Sequence, residues 1–153
     1  MKKIIFPLFT CLMASFAISS QTFEYKIITS VESIVPSGLG RSRLIDVNEK
    51  RDFKDFTSER SEEDDERNKS KRSKIRVKNF EETKLLNFFN IAGIRFQNIA
   101  ANDVITTSKL NDLSKKGWIL AFTNSAVESY GGKGDNNGIF ITRYIFKREL
   151  KDE

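Results

Sequence analysis

The chain has 153 residues, a single cysteine (Cys11), no histidine and a formal net charge of +5. The lack of histidine excludes every histidine-based triad, and one cysteine cannot build a disulfide or a Cys/His zinc site. Lys2 and Lys3 carry part of the charge and Glu49–Lys78, with eleven basic and nine acidic residues, carries another part. The rest of the chain is close to neutral, so nucleic acid is not an expected partner.

Lys2 and Lys3 precede an apolar run, Ile4–Ile18, that ends at the small residues Ala17, Ser19 and Ser20. This is the pattern of a secretory signal peptide, and the run falls short of the roughly 20 apolar residues a spanning helix needs. Cleavage is expected after Ser19 or Ser20. Residues 1–20 then form the signal peptide, and the mature chain is periplasmic or extracellular with no transmembrane span. Thr10 before Cys11, and the apolar run continuing beyond it, argue against a lipoprotein. Processing removes Cys11, and with it the cysteine nucleophile, so stability must come from a packed core. Residues 21–153 suit one small domain.

In the mature chain Phe23, Tyr25, Ile27, Thr29, Val31 and Val35 alternate with Glu24, Lys26, Ser30 and Glu32. The period is that of a half-buried strand, with the apolar set predicted to face the core. Ile28 and Ile34 interrupt the polar set, so part of that side is expected to be covered too. Pro36-Ser37-Gly38 supplies a turn into a second strand over Arg41–Val47. The segment from about 49 to 78 follows, with an acidic block at Glu62–Glu66 and seven basic residues from Arg67 to Lys78. Ser58–Lys74 has too little apolar surface to offset its ordering entropy, and is read as a flexible charged excursion from the domain. Its opposite blocks suit local pairing as a helix or hairpin. Its basic half is the alternative contact point, for an acidic surface or a protein partner.

Ile75–Phe80 alternates briefly, and Leu85, Leu86, Phe88 and Phe89 form an apolar cluster compatible with either a buried strand or a helical turn. Asn98 or Asn102 is the expected N-cap of a helix, with Asp103 in its first turn. Ile99, Thr106, Leu110 and Leu113 share one face of that helix, Ile105 flanks it, and Lys115, Lys116 and Gly117 form its stop signal. Trp118, Leu120 and Phe122 alternate with Ile119, Ala121 and Thr123. Both sets are apolar, which predicts a central strand covered on both faces, with Trp118 as a core plug rather than a sugar-stacking platform. After a turn over Gly131–Gly138, Ile139, Ile141, Arg143, Ile145 and Lys147 alternate with Phe140, Thr142, Tyr144 and Phe146.

The opening FEYKIITSV, the helix end KLNDLSKKG, the strand GWILAF and the terminal YIFKR together resemble a small domain family of unknown function. Its members read Tyr-Glu-Tyr-Lys-Val-Val, Leu-Asn-x-x-Gly-x-x-Gly-Trp-Glu-Leu-Val and Phe-Lys-Arg. The resemblance covers the first strand and the C-terminal third of the chain, and Ile119 stands where the family has Glu. It implies a compact antiparallel sheet with a helix on one face, and no activity. With the periodicities it gives an α+β fold class: an antiparallel sheet of about four strands and one main helix packed on one face.

Three groups suggest chemistry. Gly38-Leu39-Gly40-Arg41-Ser42-Arg43 resembles an anion-binding nest with two guanidinium groups, Arg41 and Arg43, although a hairpin turn also accounts for its glycines. Val-Glu-Ser occurs at 31–33 and again at 127–129, so Glu32 and Glu128 would approach one another if their strands ran in the same direction. Such a pair could act in general acid/base catalysis or bind a hard cation, although two solvated strand-end acids are the preferred reading. Asp135, Asn136 and Asn137 lack the ordered ligand spacing of a calcium loop and are read as turn residues. No cofactor or metal is expected. An exported binding or interaction module is the leading function class, leaning away from an enzyme, and a small carboxylate-dependent hydrolase is the alternative.

Overall fold

A computed structural model describes residues 22–33, 42–63, 65–90, 92–128 and 138–150. Its strands are β1 (Phe23–Ser33), β2 (Arg43–Asp46), β3 (Glu81–Lys84), β4 (Phe89–Asn90), β5 (Gly93–Ile94), β6 (Ile119–Glu128) and β7 (Ile139–Glu149). A single turn, α1 (Arg72–Ile75), precedes the main helix, α2 (Phe96–Lys115). The main sheet has five antiparallel strands in the order β3-β2-β1-β7-β6, and β4-β5 forms a separate hairpin. This is the expected α+β arrangement with one main helix, and the sheet has five strands rather than about four.

β1 and β7 pair along their whole length, from Phe23 opposite Glu149 to Ser33 opposite Ile139. That register places Glu24, Lys26, Ile28, Ser30 and Glu32 on one face, beside Arg148, Phe146, Tyr144, Thr142 and Phe140. α2 packs on this face. The core comprises Ile28, Leu44, Leu85, Leu113 and Phe146, with Ile105, Leu110, Trp118 and Tyr144 against it. The expected orientation of β1 is therefore reversed: the set containing Phe23, Tyr25, Ile27 and Val31 lies on the face opposite α2, which is helix-free among the described residues. A period of two separates the faces of a strand without saying which is covered. The decision rests with partners elsewhere, since Ile28 meets α2 and the charges flanking it are paired.

The helix also begins earlier than expected. Arg95 is the N-cap and makes no side-chain cap hydrogen bond, while Asn98 and Asn102 lie inside the helix. Their side chains bind the connecting segment instead: Asn98 Nδ2 donates to Asn87 O at 2.8 Å and Asn102 Nδ2 to Leu86 O at 2.8 Å. The helix stop lies where Lys115, Lys116 and Gly117 predict it. Gly117 has φ +82°, its N–H donates to Ser114 O, and the Trp118 N–H donates to Leu113 O. These two bonds form a Schellman motif, and Trp118 packs against the core cluster to which Leu113 belongs.

β6 is an edge strand exposed along all ten residues, not a central one. A bulge between Leu120 and Phe122 breaks its alternation and sends these two side chains to opposite faces. Its apolar composition on both sides thus does not reflect double coverage. β3 falls on the charged Glu81–Lys84 rather than on Ile75–Phe80, held by β2 pairing and the Arg43–Glu82 ion pair at 2.9 Å.

The described residues of the 49–78 excursion include no core member. The segment holds a 3-10 turn at Phe53–Phe56 and α1, and it folds back on itself through Asn68, whose Nδ2 donates to Asp55 O at 2.9 Å and whose N–H donates to Ser58 Oγ at 2.6 Å. Removing 58–74 and joining the ends by a short Gly/Ser linker is expected to leave unfolding cooperative, with stability within about 1 kcal/mol of the parent, because shortening a surface loop changes closure entropy only slowly. Calorimetry checks this, and a molten or insoluble product would contradict it.

Candidate functional site

The helix-free face of the sheet presents apolar side chains from four strands. Registers place Tyr25, Ile27 and Val31 of β1, Ile45 of β2, Ile141 and Ile145 of β7, and Phe122 of β6 on this one side. Tyr25 is 64 % exposed, Ile119 61 %, Phe122 60 % and Ile27 48 %. Contiguous apolar exposure of this kind marks interaction sites on soluble proteins. Arg143 stands between Ile141 and Ile145, and the Lys147 ammonium lies 4.7 Å from the Phe23 ring centre. Where β2 stops short of the start of β1, a concavity of about 380 Å³ opens, with Tyr25, Ile27, Ile45 and Val47 in its wall.

The covered face holds a cluster of nearly buried, paired charges. The Asp46 carboxylate, nearly buried, meets the Lys26 ammonium at 2.5 Å through Oδ1 and the Lys109 ammonium at 2.7 Å through Oδ2. Lys109 also pairs with Glu81 at 3.0 Å, and Lys26 donates to Asn48 Oδ1 at 2.6 Å. Burial alone would push the Asp46 carboxyl up, but the two lysines outweigh it and hold the group below its ordinary value. Burial likewise opposes the charge on Lys109, while Asp46 and Glu81 raise its pKa overall. Two residues from Lys26, at the start of β1, Arg148 stacks its guanidinium 4.4 Å from the Trp118 ring centre, donates from Nε to Glu24 at 2.7 Å and caps Lys116 O at 3.0 Å. Trp118 is thus half-buried between the core and an arginine, as a plug would be.

Glu32 lies on the covered face and accepts a hydrogen bond from Asn102 Nδ2 at 2.9 Å. Burial pushes its carboxyl up against that bond, and Asp103 adds to the rise. Burial, with the Glu32 and Asp103 charges, also raises the Tyr144 phenol. Glu128 is on the opposite, helix-free face, where it is paired with Ile139. β1 and β6 do run in the same direction, but β7 lies between them and the two carboxylates project from opposite sides. The structure does not bring this pair together, so the one constellation that suggested a hydrolase is not assembled.

Arg43 is engaged by Glu82 and donates from Nη1 to Ser42 O at 2.7 Å. Gly38, Gly40 and Arg41 lie outside the described residues, as do Asp135, Asn136 and Asn137. Among the described residues, no group of three or more acidic or thiol side chains could hold a metal ion, and no helix is long and apolar enough to cross a membrane. The open-face residues were not singled out from the sequence as a site, although their signal was present: a strand whose two alternating sets each hold large apolar residues needs a partner for each. No family model, curated protein or solved structure matches the chain.

Proposed function

We propose that the protein is an exported binding module whose contact surface is the open face of the main sheet. The observation that supports this is the exposure of Tyr25, Ile27, Ile119 and Phe122 on one helix-free side. Export is supported by the basic, apolar and small-residue sequence of residues 1–20. The partner that fits is a protein surface with apolar side chains and a carboxylate, the latter to meet Arg143 where it rises between Ile141 and Ile145. Burying a large apolar side chain at such a surface is worth about 1.5–3 kcal/mol, enough for a few side chains to decide affinity.

A photo-crosslinking residue placed at Tyr25 or at Phe122 tests the surface in the producing cell, with the same probe at Asp112 on α2 as control. The expected result is a discrete adduct with one extracytoplasmic protein from both open-face positions and none from Asp112. Retention of the chain in the cytosol, or absence of an adduct at both positions, would overturn the reading.

A further inference from the structure

We propose that β6 is a self-association edge that pairs antiparallel with β6 of a second copy of this chain. The two edges of the sheet differ in kind. β3 is four residues long, Glu81-Glu82-Thr83-Lys84, the short charged edge that discourages pairing. β6 is ten residues long, contains no Pro, Lys or Arg, and carries a single charge at its end, Glu128. No strand lies beyond it among the described residues, so one row of its backbone N–H and C=O groups is available as a template.

The sequence of β6 is complementary to itself about Asn124. With two copies of Asn124 facing each other, Thr123 meets Ser125, Phe122 meets Ala126, Leu120 meets Val127 and Ile119 meets Glu128, with Ala121 as the extra residue of the bulge. The two members of every pair lie on the same face of the sheet, as the pleat requires. Phe122, the bulkiest, is opposed by a small residue. Charge fits as well: Ile119 is paired within its own sheet to Lys147, on the same face as Glu128. A two-fold axis through Asn124 therefore brings each Glu128 to within two strand widths of Lys147 of the other copy, twice per dimer, with no like charges opposed along β6. The product is a continuous sheet of two copies with both helices on one side. The inference rests on β6 alone and not on what the open face binds.

Sedimentation of the full chain across a wide concentration range should show a reversible dimer. Glu128→Lys should weaken it by about tenfold or more, and combining it with Lys147→Glu should restore it. Facing residues of an antiparallel pair lie roughly 4.5–5.5 Å apart between Cα atoms, within the reach of a disulfide. In a Cys11→Ser background, Asn124→Cys should therefore oxidise to a linked dimer, whereas Tyr25→Cys, also exposed on the open face, should not. A chain that stays monomeric at all concentrations, or that links through Tyr25→Cys and not Asn124→Cys, would overturn the proposal.

Discussion

Asp46→Ala is expected to lower the unfolding free energy by about 3–5 kcal/mol at neutral pH, because it leaves two covered ammonium groups without their anion. Lys26 and Lys109 both end on this carboxylate, at 2.5 and 2.7 Å, and neither has an equivalent alternative: Lys26 keeps only the Asn48 amide, and Lys109 only the more exposed Glu81. Asp46→Asn retains the shape and one acceptor and should cost less. The loss has a characteristic pH dependence. The folded Asp46 carboxyl is held below its ordinary value, so its contribution is complete above the unfolded value and disappears as pH falls through the folded one. The gap between parent and Asp46→Ala should therefore narrow as pH falls below about 4, the ordinary carboxylate range.

Glu32 works in the opposite sense. Its folded carboxyl is raised by burial, so ionisation opposes folding, and that penalty grows as pH rises from the ordinary carboxylate value through the folded one. Lys109 closes the basic side, since its raised value makes its contribution full below the ordinary lysine range and lost as pH rises beyond it. Urea titrations of the parent and Asp46→Ala across the acid and neutral range isolate the Asp46 contribution. A gap independent of pH would show that the carboxylate acts by packing alone.

What the sequence made legible follows from how local each determinant is. The end of α2 is specified by a few consecutive residues, since Gly117 supplies the left-handed backbone that a Schellman motif requires, and the helix stops there. β1 and β7 were each legible as a strand from clear alternation, whereas their pairing, between the two ends of the chain, was not. The choice of buried face was not legible, because Lys26 and Glu32 look solvent-facing unless their partners Asp46 and Asn102 are known, and these lie far off in the chain. The same applies to β6. Large apolar residues on both sides suggested a central strand, yet the strand is at the edge, and whether an apolar edge is solvated or paired is a property of an assembly rather than of a chain. The site was missed for this reason: it consists of the alternate set that the periodicity assigned to the core.

Asn102 shows the same nonlocality in one side chain, and Asn102→Ala is expected to cost about 2–4 kcal/mol. As an N-cap, the role its position suggested, it would lose about 1 kcal/mol on the same change. In the structure its amide is buried at the junction of three segments: Oδ1 accepts from the Leu86 N–H at 2.8 Å, and Nδ2 donates to Leu86 O at 2.8 Å and to Glu32 at 2.9 Å. It thereby gives the irregular strand-to-helix connection the pairing that a neighbouring strand would otherwise provide. Alanine strands both Leu86 backbone groups and removes the hydrogen bond that favours ionised Glu32, so the Glu32 carboxyl should rise further. Two readouts distinguish this account from a cap. Asn102→Ala should unfold at markedly lower urea than the parent, and hydrogen exchange should show the Leu86 amide losing protection while amides in the first turn of α2 keep theirs. Asn102→Asp retains the Oδ1 acceptor, loses the amide donor and places a second carboxylate against Glu32, so it should be no more stable than alanine at neutral pH and should recover as pH falls. A loss confined to the first helical turn in Asn102→Ala, with the Leu86 amide unchanged, would return Asn102 to the capping role.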